Sequence, residues 1–234
     1  MIKLDKSFLI KLILADIAMI LLHILFAPQY SFFNLDLESN FPTVYQGLKL
    51  IGIGVLILCF MGRFFLSRWE KYSVMITSAF FIFLGADEMA HVHENSPMYI
   101  QQMFPGIANF VETWAQNIGY GGALWVIYFL PIFLFMIGVW STQLVWFAWY
   151  KKQNIMLILA AILLILTVPG IEWINTSSGF SPLVYERWII LEESVELFGI
   201  SLLGYGYVRL YESVFRDKPQ KKYNKLGELE NDSL

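Results

Sequence analysis

Apolar residues run through this chain in six long blocks, approximately Phe8 to Ala27, Val44 to Phe65, Val74 to Glu94, Gly121 to Phe147, Ile155 to Ile174 and Tyr185 to Tyr211. Each approaches the roughly 20 residues that a helix needs to cross about 30 Å of hydrocarbon. The runs are continuous rather than alternating, and in lipid a helix satisfies every backbone group within its own segment, so helices are expected over a barrel. The pattern predicts an all-α fold: a polytopic membrane helical bundle of six transmembrane helices. One domain spans 1–211, and the polar stretch 212–234, rich in Lys, Glu, Asn and Asp, reads as a solvated tail. Between the third and fourth runs, Ile107, Phe110, Val111 and Trp114 recur at helical spacing after Pro105 and Gly106. A short external helix there and an aromatic-rich interface loop are both compatible with that spacing.

Composition sharpens this picture. Apolar residues make up 57% of the 234 and charged residues 15%, too few charges to coat a water-exposed surface. Cations cluster by position: Lys3, Lys6 and Lys11 open the first run, Arg63, Arg68 and Lys71 follow the second, and Lys151 and Lys152 follow the fourth. Arg209, Arg216, Lys218, Lys221, Lys222 and Lys225 end the sixth, while segments 28–43, 96–120 and 175–184 hold no Lys or Arg. Because basic residues near span ends stay on the cytoplasmic side, both termini are expected in the cytoplasm, with the protein in the cytoplasmic membrane. The first run lacks a small-x-small cleavage site and reads as a retained span. Scattered cations build no groove for nucleic acid, and the single cysteine, Cys59, excludes an internal disulfide. The glycines Gly52, Gly54, Gly204 and Gly206 read as points of close helix approach.

Charged residues inside the apolar runs carry the chemistry. The third run ends in Asp87-Glu88-Met89-Ala90-His91-Val92-His93-Glu94, and the sixth contains Glu192-Glu193-Ser194-Val195-Glu196. On a continuous helix Asp87, His91 and Glu94 share a face at i, i+4, i+7, and Glu88 pairs with His91 at i+3. Glu196 likewise shares a face with Glu192 and Glu193. A rise of about 1.5 Å per residue brings both clusters into the outer half of the bundle, where His23 and Glu172 also fall. Intramembrane ionisable residues mark function by default, and this many carboxylates, with at most Arg187 and a few histidines nearby, require added positive charge. Glu88-x-x-His91 has the carboxylate–histidine spacing of di-iron and di-manganese bundles, with Glu193-x-x-Glu196 as a carboxylate-rich partner. The leading expectation is a divalent metal, iron, manganese or zinc, on Glu88, His91, Glu193 and Glu196, with Asp87, Glu94, Glu192 and His23 as further ligands or supporting groups. A protonated carboxylate network and a structural hydrogen-bonded one are the alternatives. His93, about 200° around the helix from His91, reads as a supporting residue. Asp16, near mid-span, fits either a functional role or an interhelical contact.

The chain resembles a group of uncharacterised bacterial multi-pass membrane proteins. The likeness lies in the loop Phe33-Asn34-Leu35-Asp36-Leu37-Glu38-Ser39-Asn40-Phe41-Pro42-Thr43, in the acidic and histidine-bearing end of the third run, and in Leu191-Glu192-Glu193-Ser194-Val195-Glu196-Leu197-Phe198-Gly199. It implies no reaction. The arginine of CAAX-processing proteases, a Ser/His dyad and the dispersed histidines of membrane desaturases are lacking. The expected function is a membrane-embedded metalloenzyme acting on a lipid-like or other small-molecule substrate from the outer side. A proton- or cation-coupled transporter using the same carboxylates, and an assembly subunit of a membrane complex, are the rivals.

Overall fold

Helix propensity and apolar content coincide along most of the chain. The computed structural model describes residues 6–37, 39–61, 68–119, 124–147, 152–177 and 180–217. Among them there are eight α-helices and no strand: α1 Lys6–Phe26, α2 Phe41–Met61, α3 Arg68–Ala90, α4 Val92–Met103, α5 Pro105–Asn117, α6 Trp125–Phe147, α7 Lys152–Ser177 and α8 Pro182–Asp217. Four of them, α1, α2, α3 and α6, are long and apolar enough to cross a membrane. The apolar stretch of α7 is shorter, Met156–Val168. α8 is the longest helix at 36 residues and carries the carboxylates expected from the sequence.

Burial is inverted relative to a water-soluble bundle. On α1 the buried residues are Asp16, Met19 and His23. Leu14, Leu21 and Leu25 face outward. That is the arrangement of a helix whose polar groups must be satisfied inside because lipid cannot hydrate them. α2 packs along α3, α7 along α8, and both α1 and α2 lie against α8.

Glycine sets the closeness of α2 and α3. A Cβ on Gly85 would stand 2.5 Å from the Gly47 carbonyl oxygen, and one on Gly47 would stand 2.7 Å from the Gly85 oxygen. Seven residues further into α2, Gly54 repeats the contact, and its carbonyl accepts a hydrogen bond from Ser78 Oγ at 2.7 Å. Of the other glycines singled out by sequence, Gly204 meets Ile53 and Gly206 meets Ile158. Gly52 faces open space, since it lies on the side of α2 turned away from these seams.

Two boundaries differ from the sequence pattern. The third run does not continue to Glu94: His91 takes a left-handed backbone conformation, φ 54°, which ends α3 and starts α4. The segment between the third and fourth runs then forms two helices, α4 and α5, with α4 packed on α6. On α5, Ala108 and Ala115 are buried while Ile107, Phe110 and Trp114 are exposed. The sixth helix also extends past Tyr211 to Asp217, and Glu212 is buried against Arg209 at 2.7 Å, so the expected tail begins later than 212. The rest of that tail, from 218, and the end of the second run beyond Met61 lie outside the described residues.

Replacing Gly85 with Val forces apart two helix backbones already in contact. A loss of about 1–3 kcal/mol or more is expected, read as a lower melting temperature of the purified protein in detergent. Gly52→Ala, with nothing in the way of its Cβ, should be neutral or slightly stabilising.

Candidate functional site

Asp87 explains the break after α3. Its Oδ1 accepts the His93 backbone N–H at 2.8 Å, and its Oδ2 meets His93 Nδ1 at 2.8 Å. The carboxylate thereby caps the first turn of α4, as a helix N-terminus favours, and the acidic Glu94 sits in that same turn. Asp87 is 6% exposed, and His93 provides a partner for each of its two oxygens. The single face proposed for Asp87, His91 and Glu94 therefore does not exist, because the left-handed turn at His91 puts Glu94 on a different helix. His91 itself turns to the loop between α1 and α2, where its Nε2 meets Ser39 Oγ at 2.7 Å. Glu88 and His91 are consequently not a helical i, i+3 ligand pair.

That loop is built rigidly. Asn40 caps α2 by accepting the Thr43 N–H at 3.2 Å, its own amide donates to the Asn34 carbonyl, and Asn34 Oδ1 accepts the Asp36 N–H at 3.0 Å. The loop reaches back to α1 through the Leu35 N–H, which donates to His23 Nδ1 at 3.0 Å. An Nδ1 that accepts carries no proton, so the neutral ring bears its proton on Nε2. That Nε2 is buried with no hydrogen-bond acceptor among the described residues. His23 thus offers a donor where a metal ligand needs a lone pair, which removes it from the ligand set expected from sequence. Asp36 keeps an exposed face, yet the surrounding protein raises its carboxyl above the usual carboxylate range, and the nearby charge of Glu94 adds to this.

Deeper in lie the carboxylates of α8 and the Glu88 carboxylate of α3. Glu193 lies within electrostatic range of Glu196, Glu88, Glu192 and Asp36. Glu196 accepts a hydrogen bond from Gln46 Nε2 of α2 at 2.9 Å and feels the charges of His93 and Lys49. Lys49, 8% exposed, supplies the cation that the sequence reading did not credit to the site. It lies 2.9 Å from Asp16 Oδ1, donates to the Leu197 carbonyl at 3.0 Å, and senses Glu196 and Glu88. Asp16 also accepts from Tyr45 OH at 2.7 Å and Ser201 Oγ at 2.5 Å. Its mid-span charge is thus held by an interhelical network.

Lys49 neutralises Asp16, and His93 answers Asp87. Glu193 thus has the charges of Glu196, Glu88 and Glu192 within electrostatic range, and like charges held in one region repel. Among the described residues, however, no group of three His, Cys, Asp or Glu side chains already stands close enough to hold a metal ion. Glu172 has its side chain outside the described set, and nothing is assigned to it.

Residues 12–209 match a domain of unknown function, DUF8692. The chain belongs to that family. The DUF8692 region takes in α1 through most of α8, so Asp16, Lys49, Glu88, His93 and the three α8 glutamates all lie inside it. No curated protein and no solved structure matches the chain.

A second polar cluster lies at the opposite end of this DUF8692 bundle. Gln143 donates to Thr77 Oγ1 and the Ser73 carbonyl, both at 2.9 Å, and accepts from Tyr211 OH at 2.9 Å. Glu70, 6% exposed, is buried near that end of α3. Reading each span separately gave no sign of this cluster, because Gln, Thr and Tyr are unremarkable singly in an apolar run.

Lys49→Met leaves Asp16 buried and uncompensated, and about 3–5 kcal/mol of stability should be lost. The double variant Asp16→Leu/Lys49→Met removes both charges and should recover most of it. Melting temperatures of the three proteins in detergent test this; equal damage from the single and double variants would contradict it.

Proposed function

We propose that this protein is a membrane-embedded metalloprotein, an enzyme, whose outer half holds one divalent cation site on Glu88, Glu193 and Glu196. His93, oriented by Asp87, takes the place that the sequence pattern had given to His91. What supports this reading is that Glu88 of α3 and Glu192 and Glu196 of α8 lie within electrostatic range of Glu193, with Lys49 held by Asp16 nearby. A histidine whose Nδ1 is bound by a carboxylate is the usual arrangement behind a metal-ligating imidazole, since the carboxylate sets the tautomer and raises the basicity of the ring. Iron, manganese or zinc bound there would polarise a lipid-like or other small substrate, or activate water or oxygen, from the external side.

The topology we propose is six spans with both termini in the cytoplasm of a bacterial cell, in its cytoplasmic membrane. At about 1.5 Å per residue, the 26 residues of α7 and 36 of α8 have ample length to accompany α1, α2, α3 and α6. The absence of Lys and Arg from 28–43, 96–120 and 175–184 gives the orientation.

A second reading, a proton- or cation-coupled transporter, draws on the polar groups beyond the carboxylates. Asp16, Lys49 and Ser201 extend inward from the glutamates, and Gln143, Thr77 and Tyr211 lie at the other end. The buried side chains Ile53, Ile57, Phe81 and Leu203 belong to the apolar core of the bundle, which favours a one-sided site over a through-route.

Elemental analysis of the purified protein separates the two. Stoichiometric transition metal, lost when Glu88 and Glu193 are both changed to Gln, is expected for the metalloprotein. Metal-free protein that moves protons or divalent cations in proteoliposomes would replace it with the transporter. For the topology, single cysteines at 36 and 116 in a Cys59→Ser background should label from outside intact cells, and one at 218 should label only after permeabilisation.

A further inference from the structure

At 3.6 residues per turn, the side chains of α5 fall on three sides roughly 120° apart. One side carries Ala108 and Ala115, both buried, whose small size lets the helix lie close against the protein. A second carries Asn109, Thr113 and Gln116, all exposed. The third carries Ile107, Phe110 and Trp114, also exposed, Phe110 at 72%. Protein accounts for the first side and water for the second. Three large apolar residues grouped on one exposed side mark a surface that is covered by something apolar.

The position of α5 in the fold says what that is. α3 and α6, each long and apolar enough to cross a membrane, are joined through α4 and α5. The ring of His93, in the first turn of α4, stands 4.7 Å from that of Trp125, the first residue of α6, so α3 ends and α6 begins at one level. Glu112 of α5 lies within electrostatic range of Tyr128, in the first turn of α6, which keeps α5 near that level too. A helix held where two spanning helices end lies at the boundary of hydrocarbon and water. There it can bury an apolar side among lipid chains and hydrate a polar one, with Trp at headgroup depth.

We propose that α5 is an interfacial helix whose partner is the lipid surface: it lies in the plane of the bilayer beside the ends of α3 and α6, with Ile107, Phe110 and Trp114 set among the lipid chains and Asn109, Thr113 and Gln116 in water. Glu112 is the one charged residue of α5, and 96–120 holds no Lys or Arg. Apolar burial therefore drives the docking, and anionic headgroups are not needed for it. The docking is independent of the cation site and rests on α3 and α6 crossing the membrane.

Depth measurements on the full chain test this. In a Cys59→Ser background, Phe110→Cys, Trp114→Cys, Asn109→Cys and Thr113→Cys are each spin-labelled and reconstituted in phosphatidylcholine vesicles, and electron paramagnetic resonance reads access to oxygen, which concentrates in lipid, and to a water-soluble nickel chelate. Labels at 110 and 114 should favour oxygen over nickel severalfold more than those at 109 and 113, and adding phosphatidylglycerol should not change the ratio. Nickel reaching 110 and 114 as freely as 109 and 113 means a water-facing side and overturns the proposal. Exclusion of both reagents from 110 and 114, with dipolar broadening between labels, means a second copy covers them and overturns it as well. Dependence on phosphatidylglycerol overturns the apolar basis of the docking. Leu134→Cys, on the exposed surface of α6, is the reference: if its label also reaches nickel rather than oxygen, the spanning reading of α6 fails and takes the proposal with it. Should Trp114→Cys not fold, the contrast between 110 and 109 still decides.

Discussion

The ion pair between Lys49 and Asp16 holds together the part of the bundle on which everything else rests. Asp16 comes from α1, Lys49 and Tyr45 from α2, Ser201 and the Leu197 carbonyl from α8, so one carboxylate and one ammonium tie three helices at a single depth. Neither charge could stay in a lipid-embedded interior alone. Their mutual dependence makes the assembly of α1, α2 and α8 specific, and it places Gln46, one turn away, directly against Glu196.

Lys49 is committed to Asp16. The lysine reaches Glu196 and Glu88 only at longer range. Asp87 and His93 form a separate pair at the rim, and the same carboxylate that holds the imidazole also caps α4. The break at His91 follows from that capping, and it sends His91 to Ser39.

Around this polar interior the surface is apolar. α1 shows lipid its leucines and isoleucines, and α5 turns Ile107, Phe110 and Trp114 outward while burying two alanines. Close glycine contacts between α2 and α3 let Gln46 and Lys49 on one helix share a neighbourhood with Glu88 on the other. Packing and electrostatics are thus coupled: the backbones must approach before the charged groups can reach one another.

Much of this was legible in the order of residues. Long apolar runs predict helices because lipid leaves the backbone no other way to satisfy itself, and rare carboxylates inside such runs, Glu88 and Glu193 among them, mark themselves by their cost of burial. The spacing after Pro105 and Gly106 allowed a helix where α5 lies, alongside an interface loop. The partners were not legible. Nothing local distinguishes Lys49 as the counter-ion of Asp16, or Gln46 as the neighbour of Glu196, since those relations join residues 33 and 150 positions apart. Nor did the third run carry a glycine or proline at His91 to announce its break, which arises because the Asp87 carboxylate captures the His93 N–H. Helix identity follows from hydrophobicity, a property each segment carries alone; charge pairing follows from distance, which exists only once the helices are packed.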